Sequence, residues 1–174
     1  MEYLLDYITE REVLDTPKER VRQKVEKYLV EKKGYPKENI IVDYSFLVEI
    51  DNKKFLANID LLVKVNEINF MNIECAPPTV LSALERKALA CSRIFKPAIP
   101  YTVLTDWKQT KVFESVGGKL IGEDFYTIPS FGEARKIVDK LKPVYFDEKR
   151  IEREKRILFA FMGVLHCKCE VFED

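Results

Sequence analysis

The sequence predicts a single α/β domain, and three observations carry that expectation. A capped amphipathic helix opens the core of the chain. Three alternating apolar segments, separated by short turns, follow it directly. A second amphipathic helix then divides those segments from two more, giving the order α-β-β-β-α-β-β with helices at the C-terminus. The domain is expected to span residues 1–174, with its core at about 16–115 and a helical extension at about 130–174.

Each element has its own signal. Thr16-Pro17-Lys18-Glu19 reads as a capping box with proline at the first helical position, and Val21, Val25, Tyr28 and Leu29 share one face. Gly34 ends this helix and Tyr35-Pro36 prevents its return. Val42, Tyr44, Phe46, Val48 and Ile50 alternate as a first strand, and Asp51-Asn52-Lys53 turns. Phe55 to Val63 is the second strand, Val65-Asn66-Glu67 turns again, and Ile68 to Cys75 is the third, stopped by Pro77-Pro78. A helix from about Val80 to Phe95 carries the stripe Leu81, Leu84, Ala88, Cys91 and Phe95. Tyr101 to Thr105 and Lys111 to Glu114 are further strands, joined by a turn that holds Trp107. Helices near Phe131 to Leu141 and Glu148 to Phe161 follow, and the tail from Val164 to Phe172 suits a short strand.

Composition narrows the function classes. Of 174 residues 47% are hydrophobic and 33% charged, enough for a real core under a charged surface. Lys and Arg total 29, as do Asp and Glu, so the chain as a whole is not a strongly basic nucleic-acid binder. The first helix is locally basic, and Arg20, Arg22 and Lys24 are its candidate phosphate contacts. No apolar run reaches the roughly 18–20 residues of a membrane span. The acidic N-terminus does not read as a signal peptide, so the four cysteines are expected to be reduced thiols of a cytoplasmic protein.

The chemistry centres on Asp60 and Glu74. Side chains alternate along a strand, so Asn58, Asp60 and Leu62 are expected on one face of the second strand, and Asn72 and Glu74 on one face of the third. With the hairpin centred near Asn66 or Glu67 and an unbroken ladder, Asp60 faces a position between Asn72 and Glu74. The carboxylates are then opposite or diagonal neighbours. Two acids held together call for a cation or a proton, and Mg²⁺ takes one or two protein carboxylates with waters and phosphate oxygens. The plainer alternative is a pair of strand-end acids contacting backbone or solvent.

Several segments in order resemble the N-terminal domain of the type I restriction enzyme R subunit, within the PD-(D/E)XK nuclease superfamily. They are Asp6-Tyr7-Ile8-Thr9, Thr16 to Gln23, Leu29 to Pro36, Ile59-Asp60-Leu61-Leu62-Val63, Ile73-Glu74-Cys75 and Val103-Leu104-Thr105-Asp106. The resemblance covers about residues 5–115. It implies a restriction-endonuclease-like mixed central sheet flanked by helices, with Mg²⁺-dependent phosphodiester hydrolysis of DNA as the usual activity. It also implies Asp60 and Glu74 as metal ligands, with a water attacking phosphorus, and places Glu19 in the helix that often supplies an additional acid.

The family pattern has a lysine two residues after the glutamate, and this chain has Ala76, so the hydrolysis that the resemblance implies is expected to be impaired or its lysine relocated. Lys87, at the border of the apolar stripe of the next helix, is the candidate catalytic substitute, whereas Arg86 and Arg93 project away from that stripe. An ordinary solvated lysine is the competing expectation for Lys87. The alternative function is a catalytically inactive nucleic-acid-binding or protein-assembly module. Elsewhere, His166-Cys167-Lys168-Cys169 lacks the paired spacing of a structural zinc site, and Trp107 is expected to cover a core edge, with base stacking as the sharper alternative.

Overall fold

The computed structural model describes residues 1–77, 80–161 and 171–173. A hairpin of β1 (Tyr3–Leu5) and β2 (Glu12–Leu14) precedes α1 (Pro17–Glu31). The main sheet is built from β3 (Ile40–Ile50), β4 (Lys53–Val65), β5 (Ile68–Cys75), β6 (Tyr101–Thr105), β7 (Thr110–Glu114) and β8 (Lys119–Gly122). These strands lie side by side in chain order. The β5–β6 pair is parallel and its neighbours are antiparallel, so the sheet is mixed. The helix α2 (Leu81–Arg93) makes the crossover that the parallel pair requires. The helices α3 (Phe131–Lys140) and α4 (Glu148–Ala160) follow, and β9 (Val171–Glu173) pairs with the start of β4. The initial hairpin and β8 are short additions that the sequence pattern did not announce. His166, Cys167 and Cys169 lie outside the described residues, as does Pro78. Among the described residues no helix is long and apolar enough to cross a membrane.

The sheet separates two apolar layers. Val21, Val25 and Leu29 of α1 and Ala134 and Val138 of α3 pack with Leu61, Val63, Val65, Ile73 and Val103. On the other side Cys91 of α2 and Leu158 of α4 pack with Val48, Ile50, Phe55, Ala57, Ile59 and Leu62. Burying each of the valine, leucine, isoleucine and phenylalanine side chains among them contributes about 1.5–3 kcal/mol. The buried Asn72 amide on β5 donates to the Ala88 carbonyl at 3.2 Å and to Ser92 Oγ at 3.0 Å, so α2 is docked by polar bonds as well as by its stripe.

Two irregularities decide which way the acids point. Asp43 has φ +53, between the pairs Val42↔Leu61 and Tyr44↔Ile59. Across this kink the buried face of β4 changes sides: Phe55, Ala57 and Ile59 face α2 and α4, whereas Leu61, Val63 and Val65 face α1 and α3. Asn58, which bonds Ser45 on the exposed side, therefore does not share a face with Leu62, contrary to the simple alternation. The second irregularity lies between β4 and β5. Val65 pairs with Ile68 and Lys64 with Asn69, but Val63 then pairs with Met71, so Phe70 is an extra residue. An unbroken ladder from the Asn66-Glu67 turn would set Asp60 against Ile73, leaving Glu74 on the opposite face. The bulge advances the register by one, and continuing the pairs Leu62↔Asn72 and Leu61↔Ile73 sets Asp60 against Glu74.

At the start of α1 the Thr16 hydroxyl accepts the Glu19 N–H at 3.0 Å and Pro17 sits at the first position. The expected return bond from the Glu19 carboxylate is replaced, because that carboxylate accepts from Arg22 Nε at 3.0 Å and Gln23 Nε2 at 2.8 Å. Arg22 is the buried hub here, also reaching Asp43 at 2.7 Å, Asp6 at 3.6 Å and Glu26 at 3.7 Å. It ties the N-terminal segment, α1 and the β3 kink together. Burial, and then the charge of Asp6, push the Glu26 carboxyl up to about 8, while Arg22 opposes them.

That elevation has a signed consequence. The folded state holds the Glu26 proton more tightly than the unfolded chain, so its contribution is complete below the ordinary glutamate pKa and is lost as pH rises through about 8. Chemical denaturation of the wild type should show this contribution falling across that window, with a slope of up to about 1.4 kcal/mol per pH unit. Glu26→Gln should flatten the profile, and an unchanged slope in that variant would contradict the assignment.

Candidate functional site

Asp60 and Glu74 sit side by side where β4 and β5 end their pairing, and both are only 3% exposed. Asp60 turns one oxygen, Oδ2, onto the Cys75 backbone N–H at 2.8 Å, which fixes its carboxylate between the diverging strands. Its Oδ1 meets Lys18 Nζ at 2.9 Å. Glu74 Oε1 meets Lys87 Nζ at 2.7 Å. The cluster therefore contains two acids and two ammonium groups, one lysine arriving from α1 on one side of the sheet and the other from α2 on the opposite side.

The electrostatics are unequal. Burial, followed by the neighbouring Glu74 charge, pushes the Asp60 carboxyl up against the opposing pull of Lys18 and Lys87. Burial acts the same way on Glu74, but Lys87 and Lys18 together outweigh it and hold that carboxyl below its usual range. Burial disfavours the Lys18 ammonium, yet Asp60 and Glu74 raise its pKa above the ordinary lysine value. Burial also pushes the Cys75 thiol up, making it a poor nucleophile.

Lys87 is not a solvated helix-edge residue. It is 7% exposed, held down by the docking of α2 one residue before the Ala88 carbonyl that Asn72 binds. Ala76 is fully buried beside Leu81, Leu84 and Leu104, so its methyl group fills a small apolar pocket under α2. Lys18 was not singled out by the sequence. Its only local signal is its place in the first turn of a helix whose entry is fixed by Thr16 and Pro17. Its side chain remains 43% exposed, in contrast to Lys87.

The remaining candidates from the sequence lie elsewhere or are otherwise engaged. Glu19 is committed to Arg22 and Gln23, so its carboxylate joins the Arg22 hub. Arg22, expected to reach phosphate, has a side chain only 5% exposed and surrounded by four carboxylates; it cannot present its guanidinium to a ligand. Arg20 is exposed but forks onto Asp15 at 2.6 and 2.8 Å. Lys24 has its ammonium 5.8 Å from the centre of the Trp107 ring. Arg93, rather than projecting freely, bonds the Ser115 carbonyl at 2.7 Å and approaches Glu154 at 3.4 Å.

Asp60 and Glu74 are the residues that could hold a hard divalent ion, since Mg²⁺ takes one or two protein carboxylates with waters and phosphate oxygens; such an ion would have to displace Lys18 from Asp60 Oδ1 or Lys87 from Glu74 Oε1. Among the described residues there is no cluster of three or more metal-ligating acids, histidines or cysteines, so these residues form no closed cage. Breaking one partner from a buried ion pair typically costs about 3–5 kcal/mol. Lys87→Met should therefore destabilise the fold by that order, read by urea denaturation, and Glu74→Gln in the same chain should recover most of the loss. Full additivity of the two substitutions would show that the contact carries no coupling.

No curated protein and no solved structure matches the chain. The family described as type I restriction enzyme R protein N terminus matches residues 17–129, from the first turn of α1 to just beyond β8. That stretch contains Lys18, Asp60, Glu74 and Lys87 together with the sheet that positions them, and the chain belongs to this family.

Proposed function

We propose that the domain hydrolyses phosphodiester bonds of DNA with Mg²⁺ held by Asp60 and Glu74. The observation that carries this reading is the 2.7 Å contact between Lys87 and Glu74. A buried ammonium from α2 stands at the carboxylate pair, in a chain whose Ala76 leaves no cation on the strand itself. A bound divalent ion would supply polarisation of a phosphoryl oxygen and acidification of the attacking water.

The residues divide the remaining work. The Cys75 N–H orients Asp60, so its carboxylate needs no reorganisation when substrate arrives. Glu74 anchors Lys87, whose positive charge would offset negative charge developing on a phosphate bound beside the two acids. Lys18 balances Asp60 in the free protein, and its exposed side chain lets it turn towards a phosphate once Asp60 has another positive partner.

A second reading has one specific observation behind it. Lys18 and Lys87 already compensate both acids, so the cluster is electrostatically satisfied without an ion. A DNA-binding or assembly module would keep such a cluster for structure alone.

Calorimetric titration with Mg²⁺ or Mn²⁺, paired with cleavage assays on plasmid and linear duplex DNA, separates the two. The hydrolase reading expects ion binding and cleavage in the wild type, and loss of both in Asp60→Asn. Lys87→Met, assayed below its melting range, should still bind the ion but lose about 100- to 1,000-fold in rate. Salt-dependent DNA affinity with neither ion binding nor cleavage would establish the second reading instead.

A further inference from the structure

We propose that the groove beside Trp107 binds an unpaired nucleotide, its base stacked on exposed aromatic surface and its phosphates held by lysines. This rests on the reading that the domain handles nucleic acid, but it concerns a different part of the surface from the carboxylates.

Trp107 follows Thr105 and Asp106 at the end of β6, and the Thr105 carbonyl accepts the Ala76 N–H at 2.8 Å. The turn therefore stands at the same end of the sheet as Glu74, on the next strand. Its ring packs edge-on to Tyr28 at 6.4 Å and tilted against Phe125 at 4.8 Å, and this inner side covers the α1 core. Such packing alone explains a partly buried tryptophan. It does not explain the rest of the surroundings.

Trp107 is held at φ +78, a left-handed conformation that is unusual for a bulky side chain and that favours glycine. The turn enforces it: Thr105 Oγ1 accepts the Trp107 N–H at 3.0 Å, and Asp106 Oδ1 accepts the Gln109 N–H at 2.7 Å. The ring borders a groove of about 680 Å³, within the roughly 300–1,000 Å³ common to small-molecule sites. Tyr126 stands at its lip, 87% exposed.

Charge selects the occupant. Lys32, Lys33 and Lys108 line the groove, and Lys24 lies over the Trp107 ring. Against them stand Glu123 and Asp124, which the lysines outnumber, and Lys33 is steadied at the lip by donating to the Tyr126 carbonyl at 3.4 Å. A surplus of lysine around aromatic rings suits a base carrying phosphates and repels a cationic ligand. A paired base keeps its faces inside the duplex stack, so the site should take single-stranded or frayed DNA rather than intact duplex.

Trp107 is the single tryptophan of the chain, so its fluorescence reports directly on the groove. The experiment titrates the intact protein, without divalent ion, with a short oligodeoxythymidylate and separately with a blunt duplex of the same length. Saturable quenching by the single strand, and little by the duplex, is the expected result. Affinity should fall about 10-fold or more in Tyr126→Ala and in Lys33→Glu, both changes outside the buried core. Absence of quenching, or affinity unchanged in both variants, overturns the proposal. The outcomes are distinguishable from those of the hydrolase reading: cleavage without quenching removes the groove alone, and quenching without ion binding or cleavage removes the hydrolase alone.

Discussion

Two carboxylates buried at the same point of a sheet impose the central constraint on this molecule. Water cannot solvate the charge of either Asp60 or Glu74, because each is almost wholly covered. Their mutual repulsion is met by positive charge that the fold brings from both sides of the sheet. Lys18 comes from the first turn of α1, and Lys87 from the middle of α2. An arrangement of this kind contributes little to stability by itself, since desolvating four charges offsets much of their attraction.

The backbone prepares that point in two steps. The kink at Asp43 rotates the second half of β4 so that its apolar residues meet α1. The bulge at Phe70 then shifts β5 by one residue relative to β4. Since a one-residue slip exchanges the faces of a strand, the extra residue is what lets Glu74 join Asp60. Asp43 also anchors Arg22, so the kink that turns β4 is braced by the helix that carries Lys18. Position in the sheet and charge compensation are therefore one structural problem with one solution.

The two lysines differ in a way that matters for chemistry. Lys87 is fixed by helix docking, through Asn72, the Ala88 carbonyl and Ser92. In the proposed hydrolysis such a fixed cation would stabilise developing charge without reorganising. Lys18 is half in solvent on a long, flexible stem, and is suited to exchange partners. Ala76 fits the same division: with its methyl group packed under α2, the end of β5 supplies a close contact for the helix, and α2 returns a cation to the site.

Much of the fold was legible along the chain. The Thr16-Pro17 entry, the Gly34 exit, the alternating strands, the α2 stripe and the late helices all come from local chemistry: capping, backbone freedom and side-chain periodicity. Asp60 and Glu74 stood out by their strand spacing, and the family resemblance gave them a role and directed attention to Lys87 at the edge of the α2 stripe. Their convergence was expected from an unbroken ladder, but that ladder would have set Asp60 against Ile73 and separated the acids; it is the extra residue Phe70 that brings Glu74 to Asp60. Lys18 could not be distinguished from Arg20, Arg22 and Lys24, its basic neighbours on α1. Which of them meets a carboxylate, which is buried in a hub and which lies over an aromatic ring depends on the azimuth of the docked helix and on residues as distant as Asp6, Asp60 and Trp107. Local sequence determined the elements because the forces that form them act over a few residues. The tertiary structure alone decided the site, because charge pairing there joins side chains that only the register of the sheet and the packing of two helices bring within reach.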